Sequence, residues 1–142
     1  METEYSVEEL INKAMYYKDE ANDLNLALKY ASLATIVTYS PRADACCLMG
    51  EIYLLKGNVE WAIRWYKSAL NNITMDMDEV IPDKSYLTII PLIKLAFISH
   101  GMGEDEKAIE YYDAVLKLDP KNEIALKNKG ALEANKNKKE GE

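Results

Sequence analysis

The chain has 142 residues, of which 49% are hydrophobic, so it holds enough apolar material for one continuous core and is not expected to be disordered. The 17 Lys and Arg against 24 Asp and Glu give a net charge of −7, whose field would repel a phosphate backbone, and nucleic acid is not the expected partner. No run of about 18–20 apolar residues is present, so no membrane span is expected.

The cysteines and the acidic start of the chain indicate the cellular compartment in which the protein is expected. Met1-Glu2-Thr3-Glu4 is followed by no apolar block, so we expect no secretory signal. Cys46 and Cys47 are adjacent, which strains any disulfide between them and fits no zinc-ligand spacing. These features predict a protein of the reducing cytoplasm, with no metal ion and no cofactor.

The first part of the chain predicts a helical hairpin over about residues 6–39. Ser6-Val7-Glu8-Glu9 has the Ser-x-x-Glu form of a capping box, so a helix should begin at Val7. The segment from Leu24 to Val37 has the apolar spacing of a second helix. Ser40-Pro41 then supplies a cap and a first-turn proline for the next helix.

The middle of the chain repeats later in the sequence. The segment from Ala43 to Leu70 aligns with the segment from Ile89 to Leu116. In both copies apolar residues recur at spacings of three and four residues. Each copy is therefore predicted to be two amphipathic helices around a glycine turn, in hairpins at about residues 41–72 and 83–118. The coinciding residues are Gly57 and Gly103, Ala62 and Ala108, Ile63 and Ile109, Tyr66 and Tyr112, and Leu70 and Leu116.

An irregular insertion separates the two copies at residues 71–85. Its acidic cluster Met75–Glu79 lacks the glycine and the ligand spacing of a calcium loop, so we interpret it as a solvated insertion. Pro91 leaves two alternatives open: it lies in the first turn of a helix, or it kinks a longer helix that begins near Asp83.

The last part of the chain predicts a capping helix over residues 120–135. Asp119-Pro120 begins it, and polar side chains such as Lys129 and Glu133 suit the end of a stacked array. Residues 136–142 are predicted to be a frayed tail. The whole chain should then have seven helices.

The two copies resemble the tetratricopeptide repeat. In the middle copy the resemblance rests on Gly50 and the residues around it. In the later copy it includes the closing pair Asp119-Pro120. The chain departs from the family pattern at Cys46 and Leu92, which replace a large aromatic residue, and at Thr74, where a proline would stand. The first copy is the weakest, and its register is open by one residue. The matching residues are Met49, Gly50, Tyr53, Gly57, Ala62, Tyr66 and Ala69 in the middle copy, and Leu92, Leu95, Ala96, Gly103, Ala108, Tyr112, Asp119 and Pro120 in the later one.

This resemblance implies an all-α fold, a right-handed α-α superhelix of three helical hairpins with a C-terminal capping helix, in a single domain over residues 1–135. It also implies that the first helices of the hairpins line a concave groove that binds an extended peptide or a helix. A clamp for a terminal carboxylate is not expected, because Asp44, Leu48 and Ile90 lie where basic or polar groups would be needed. The predicted groove residues are Lys13, Tyr16, Asp44, Cys47, Leu48, Glu51, Leu55, Ile93, Lys94, Phe97 and His100.

The functional hypothesis is therefore an adaptor or chaperone-like module that binds a protein or peptide partner. The alternative is a self-assembling homo-oligomer, in which Trp61, Trp65 and the insertion form contacts between copies. An enzyme is not expected, since no phosphate loop, nucleophile set or pair of catalytic carboxylates is recognisable. His100, the single histidine, precedes Gly101 and is predicted to interact with the last carbonyls of its helix.

Overall fold

A computed structural model describes residues 4–37, 42–71 and 88–141 of the chain. The chain divides into two compact units, Met1–Leu87 and Thr88–Glu142. Across the described ranges the regular secondary structure is α-helical, which confirms the all-α prediction. The insertion predicted at 71–85 falls almost wholly outside the described residues.

The first unit contains two helical hairpins. Its helices are α1 (Val7–Asp19), α2 (Leu24–Ile36), α3 (Ala43–Leu55) and α4 (Val59–Asn71). Helix α1 packs on α2, α2 packs on α3, and α3 packs on α4. Neighbouring helices in the sequence are therefore neighbours in space, as short connections require.

Local chemistry sets the ends of these helices. The Ser6 hydroxyl accepts a hydrogen bond from the Glu9 amide, and the Glu9 carboxylate accepts one from the Ser6 amide, so the predicted capping box is present. Asp23 caps α2 by accepting from the Leu26 amide. Gly57 ends the α3 turn at a φ of 80°, a left-handed conformation that suits glycine.

The core of the first unit is built on small residues. Ala14, Ala27 and Ala31 are fully buried and let α1 and α2 approach α3 closely, where Leu48 and Ile52 fill the space between them. Buried apolar area of this kind is the main stabilising contribution to a helical hairpin.

The second unit contains one hairpin and the last helix. Its helices are α5 (Ile89–Gly101), α6 (Asp105–Leu118) and α7 (Glu123–Glu140). Pro91 lies buried in the first turn of α5, which agrees with the first of its two alternatives; the stretch from Asp83 to Leu87 is outside the described residues. Helix α7 continues past residue 135, the predicted end of the capping helix.

The core of the second unit joins all three of its helices. Ala96 of α5, Ala108 and Tyr112 of α6, and Ala125 and Leu132 of α7 form one buried cluster. Gly103, with a φ of 82°, ends the turn between α5 and α6 as Gly57 does in the earlier hairpin. The described residues thus hold seven helices, in three hairpins followed by α7.

Candidate functional site

In the first unit, a buried lysine joins α1 to α3. The Nζ atom of Lys18 lies 2.8 Å from Glu51 Oε1 and 2.7 Å from Asp19 Oδ1, and only 8% of its side chain is exposed. Burial alone would lower the pKa of Lys18, but the hydrogen bonds to Asp19 and Glu51 raise it above its ordinary value. Glu51, a predicted groove residue, is therefore already engaged in a contact between helices.

A second ionic contact lies at the other end of the same helices. The Arg42 guanidinium binds Glu8 of α1 and Asp44 of α3, with 2.8 Å between Arg42 Nη2 and Asp44 Oδ2. The hydrogen bond from Arg42 holds the pKa of Glu8 below its usual range. Asp44 was predicted to line the groove, and its side chain is mostly covered by this ion pair.

Two predicted groove residues are core residues. Cys47 is 3% exposed and Leu48 is 7% exposed, and Leu48 packs with Ala14, Ala27 and Ala31 of the preceding hairpin. The prediction that they line an open groove is thus corrected. The reason is that α3 is covered by α2 on one side and α4 on another, so most of its surface is inside.

The other predicted residues of the first unit lie at the surface. Tyr16 is 55% exposed and Leu55 is 57% exposed. The Nζ atom of Lys13 lies 5.0 Å from the ring centre of Tyr5 and 5.5 Å from that of Tyr30, within the range of cation–π contacts. This surface is mixed in character, and Tyr5 also lines an open pocket with Glu4, Leu10, Leu33 and Val37.

The second unit has a pocket of about 160 Å³. Phe97 and His100 of α5 form one wall, and α7 forms the other. Tyr112 of α6 lies between these walls. The lining residues are Phe97, His100, Tyr112, Asn128, Ala131, Leu132 and Asn135.

The large apolar side chain exposed in this pocket is Phe97, which is 63% exposed. The floor is fixed, since Tyr112 is 2% exposed and its hydroxyl accepts a hydrogen bond of 3.1 Å from Asn128 Nδ2. A large apolar ring beside a rigid, partly polar floor is an arrangement that can hold another apolar side chain.

His100 has a different partner from the predicted one. Its Nδ1 atom lies 2.7 Å from Asp105 Oδ1, at the start of α6, so the ring bridges the glycine turn to a carboxylate. The expectation of an interaction with the last carbonyls of α5 is corrected, because the turn at Gly103 brings a stronger acceptor within reach.

Of the predicted groove residues, the structure brings only Phe97 and His100 together in the pocket. Ile93 packs against the core of the second unit, and Lys94 is half-buried. Sequence reasoning missed Asn128, Ala131 and Asn135, since it interpreted α7 only as a cap. An alignment of α7 with the first helices of the hairpins, residue by residue, could have predicted these three positions.

Comparisons with known proteins agree with this geometry. The family model of the tetratricopeptide repeat matches residues 43–72 and 92–122. The chain contains tetratricopeptide repeats. A solved structure described as the crystal structure of MamA matches with a TM-score of 0.69 and 22% sequence identity, over 92% of this chain and 68% of the MamA chain. At that identity the likeness shows the fold, and it supports the tetratricopeptide-type helical solenoid. No curated protein matches the sequence.

Tetratricopeptide repeats are in general scaffolds for protein–protein interaction, which is the broad function of this chain. Within residues 4–37, 42–71 and 88–141, no helix is long and apolar enough to cross a membrane. The same residues contain no group of three or more His, Cys, Asp and Glu that could hold a metal ion.

Proposed function

We propose that the chain is an adaptor or chaperone-like module whose second unit binds an extended peptide segment of a partner protein in the pocket between α5 and α7. The observation that carries the proposal is the exposed Phe97 beside a floor fixed by Tyr112 and Asn128. Covering such a ring with a partner lowers the free energy, because apolar surface is removed from water. The reducing cytoplasm stays a prediction from the sequence.

The lining of the pocket specifies the chemistry of the ligand. Its volume of about 160 Å³ suits one apolar side chain of moderate size. The lining includes two amides, Asn128 and Asn135, whose groups both donate and accept and so match the backbone of an extended peptide. No Lys, Arg, Asp or Glu is among the lining residues, which favours an internal apolar segment over a terminal carboxylate.

The test uses peptides selected from a displayed random library on the intact chain, with their affinities measured by titration calorimetry. Phe97→Ala should weaken the selected peptides about tenfold or more, since a central aromatic contact is removed. Ile124→Ala is the matched control, because Ile124 is 52% exposed on α7 and lies outside the pocket lining. Its affinities should equal those of the unmodified chain.

Two results would contradict the proposal. One is a set of selected peptides that bind Phe97→Ala as tightly as the unmodified chain. The other is a selected consensus that is charged and has no apolar residue. Circular dichroism of Phe97→Ala should be unchanged, because a residue that is mostly exposed contributes little to the core.

A second candidate function is self-assembly, which the surface of α4 favours. Trp61 is 45% exposed and stacks on Tyr53 with 6.0 Å between ring centres, and Arg64 lies 5.0 Å from the Trp61 ring. Exposed tryptophan and arginine are enriched where proteins contact one another. Sedimentation equilibrium tests this, since a monomeric mass at every concentration would exclude it.

A further inference from the structure

Two asparagines of α7 line the pocket of the second unit. They belong to one wall, whose residues stand at positions i, i+3, i+4 and i+7 of the helix and so form a single stripe along it. The asparagines are the first and last members of the stripe, about 10.5 Å apart along the helix axis. One extended segment in the pocket can therefore contact both of them. The stripe consists of Asn128, Ala131, Leu132 and Asn135.

The amide of Asn128 is held in one orientation by the core. Its Nδ2 atom donates a hydrogen bond of 3.1 Å to the hydroxyl of Tyr112. The Tyr112 ring is 2% exposed and packs with Ala96 and Ala108, so the hydroxyl has a fixed position. With Nδ2 turned towards this hydroxyl, the carbonyl oxygen Oδ1 of Asn128 is directed away from it. Within the described ranges, Oδ1 accepts no hydrogen bond.

Asn135 differs from Asn128 in having no such anchor. Its side chain is exposed and makes no hydrogen bond with any residue that the structure describes. Rotation about its last side-chain bond therefore lets Asn135 present either its NH₂ group or its oxygen to a ligand. Asn135 is thus a matched control for Asn128, with the same side chain on the same helix and in the same pocket.

An extended peptide brings unpaired backbone N–H groups into the pocket. Each N–H that is removed from water needs an acceptor, because a helix or a sheet does not supply one. The other fixed polar groups of the pocket are already engaged: the Tyr112 hydroxyl binds Asn128, and Nδ1 of His100 lies 2.7 Å from Asp105 Oδ1. Oδ1 of Asn128 is an acceptor of fixed direction beside them.

We propose that Asn128 is a specificity-determining residue of the pocket, whose Oδ1 atom accepts a hydrogen bond from a backbone N–H group of the bound segment. This role rests on the proposed function and specifies its ligand further. The segment presents an apolar side chain to Phe97 and a free N–H to Asn128. Proline has no N–H and is excluded at the residue that faces Asn128.

The orientation of Asn128 also disfavours a terminal carboxylate at this place. The NH₂ group that would donate to a carboxylate is used by Tyr112, and Oδ1 would meet the carboxylate oxygens as a second acceptor. An acceptor that faces an acceptor is repulsive, so this contact selects against chain ends as well as for an internal segment.

The probe is the tightest peptide obtained from the displayed library, synthesised as a series in which each backbone amide in turn is replaced by an ester. An ester keeps the length of the chain but has no N–H. Titration calorimetry on the intact chain should find one position at which the ester weakens binding about tenfold or more, because Oδ1 of Asn128 is then covered without a donor.

Variants of the chain assign that position. Asn128→Leu has no acceptor, so it should bind the parent peptide about tenfold more weakly and should bind the ester as tightly as the parent. Asn135→Leu should keep the full preference for the amide. Tyr112→Phe releases the Asn128 amide, which should reduce the preference to about threefold or less. A purely structural role of Asn128 would weaken parent and ester equally. Circular dichroism should show all three variants folded.

The results distinguish this assignment from the peptide site itself. If Phe97→Ala weakens the parent peptide but no ester does, the peptide site stands and the role of Asn128 is overturned. The role is also overturned if the loss at the ester persists in Asn128→Leu, or if Asn135→Leu removes it. If Phe97→Ala binds the parent peptide unchanged, the proposed function fails and the role of Asn128 fails with it.

Discussion

Tyr66 and Tyr112 occupy the same position in their hairpins, yet their hydroxyl groups have different surroundings. Tyr66 is 1% exposed, and its hydroxyl has no hydrogen-bond partner in the described part of the chain. Burial raises the pKa of Tyr66 above its ordinary value. Tyr112 instead accepts a hydrogen bond from Asn128. An unsatisfied buried polar group destabilises the folded state, whereas a satisfied one contributes modestly to it.

Removal of the two hydroxyl groups should therefore change the free energy of unfolding in opposite directions. Tyr66→Phe should raise the free energy of unfolding by about 1 kcal/mol, and Tyr112→Phe should lower it by about 1 kcal/mol. Urea unfolding followed by circular dichroism measures both. Equal effects of the two substitutions would contradict the difference between the two sites.

Gly50 and Gly130 form a second matched pair. Gly50→Ala should lower the free energy of unfolding by about 1–3 kcal/mol, because the new methyl group would overlap the Tyr66 ring. Gly130→Ala meets open space in a helix and should raise it by about 0.5–1 kcal/mol through helix propensity. The same urea titration compares them, and a Gly50→Ala protein as stable as the unmodified chain would contradict the close approach of α3 and α4.

At the scale of the helices, Lys18 and Arg42 hold α1 against α3 from opposite ends. Lys18→Met keeps an apolar stem but removes the charge that Asp19 and Glu51 share, so it should lower the free energy of unfolding by about 1–2 kcal/mol. The exposed Lys67 of α4 provides the control substitution Lys67→Met, which should change it by less than about 0.5 kcal/mol.

Much of the helical arrangement could be predicted, because its signals are local. The capping box at Ser6 and the glycine turns at Gly57 and Gly103 act within a few residues of themselves. The pocket could be predicted only in part. Whether Leu48 faces a groove or a neighbouring helix depends on how three helices meet, and a single helical wheel contains no information about that.

At the scale of the whole molecule, three buried groups of the first unit have a raised pKa and govern its response to alkaline pH. Burial raises the pKa of the Cys46 thiol above its ordinary value of 9.0, and it raises the pKa of Tyr66 as well. The ion pairs of Lys18 leave its pKa raised despite burial. In each case the folded state retains a proton that the unfolded state releases first, so stability is full below the ordinary pKa and falls as pH rises above it.

The first unit should therefore lose more stability than the second above about pH 9, because the lysines of the second unit whose pKa is raised, Lys129 and Lys136, owe it to ion pairs nearer the surface. Amide hydrogen exchange at about pH 8 and about pH 10, corrected for the intrinsic rates, measures both units in one sample. Tyr66→Phe should reduce the loss in the first unit. A decrease that is the same in both units would contradict the assignment of the effect to these three groups.

The two tryptophans of the chain are both on α4. Trp61 stacks on Tyr53 at the surface, and Trp65 packs against the core of the first unit. Their fluorescence therefore reports on Met1–Leu87 alone, and the second unit, whose aromatic residues are tyrosines and one phenylalanine, is silent at wavelengths that excite only indole. A melting curve recorded by emission and one recorded by helical content will coincide only if both units lose their structure together.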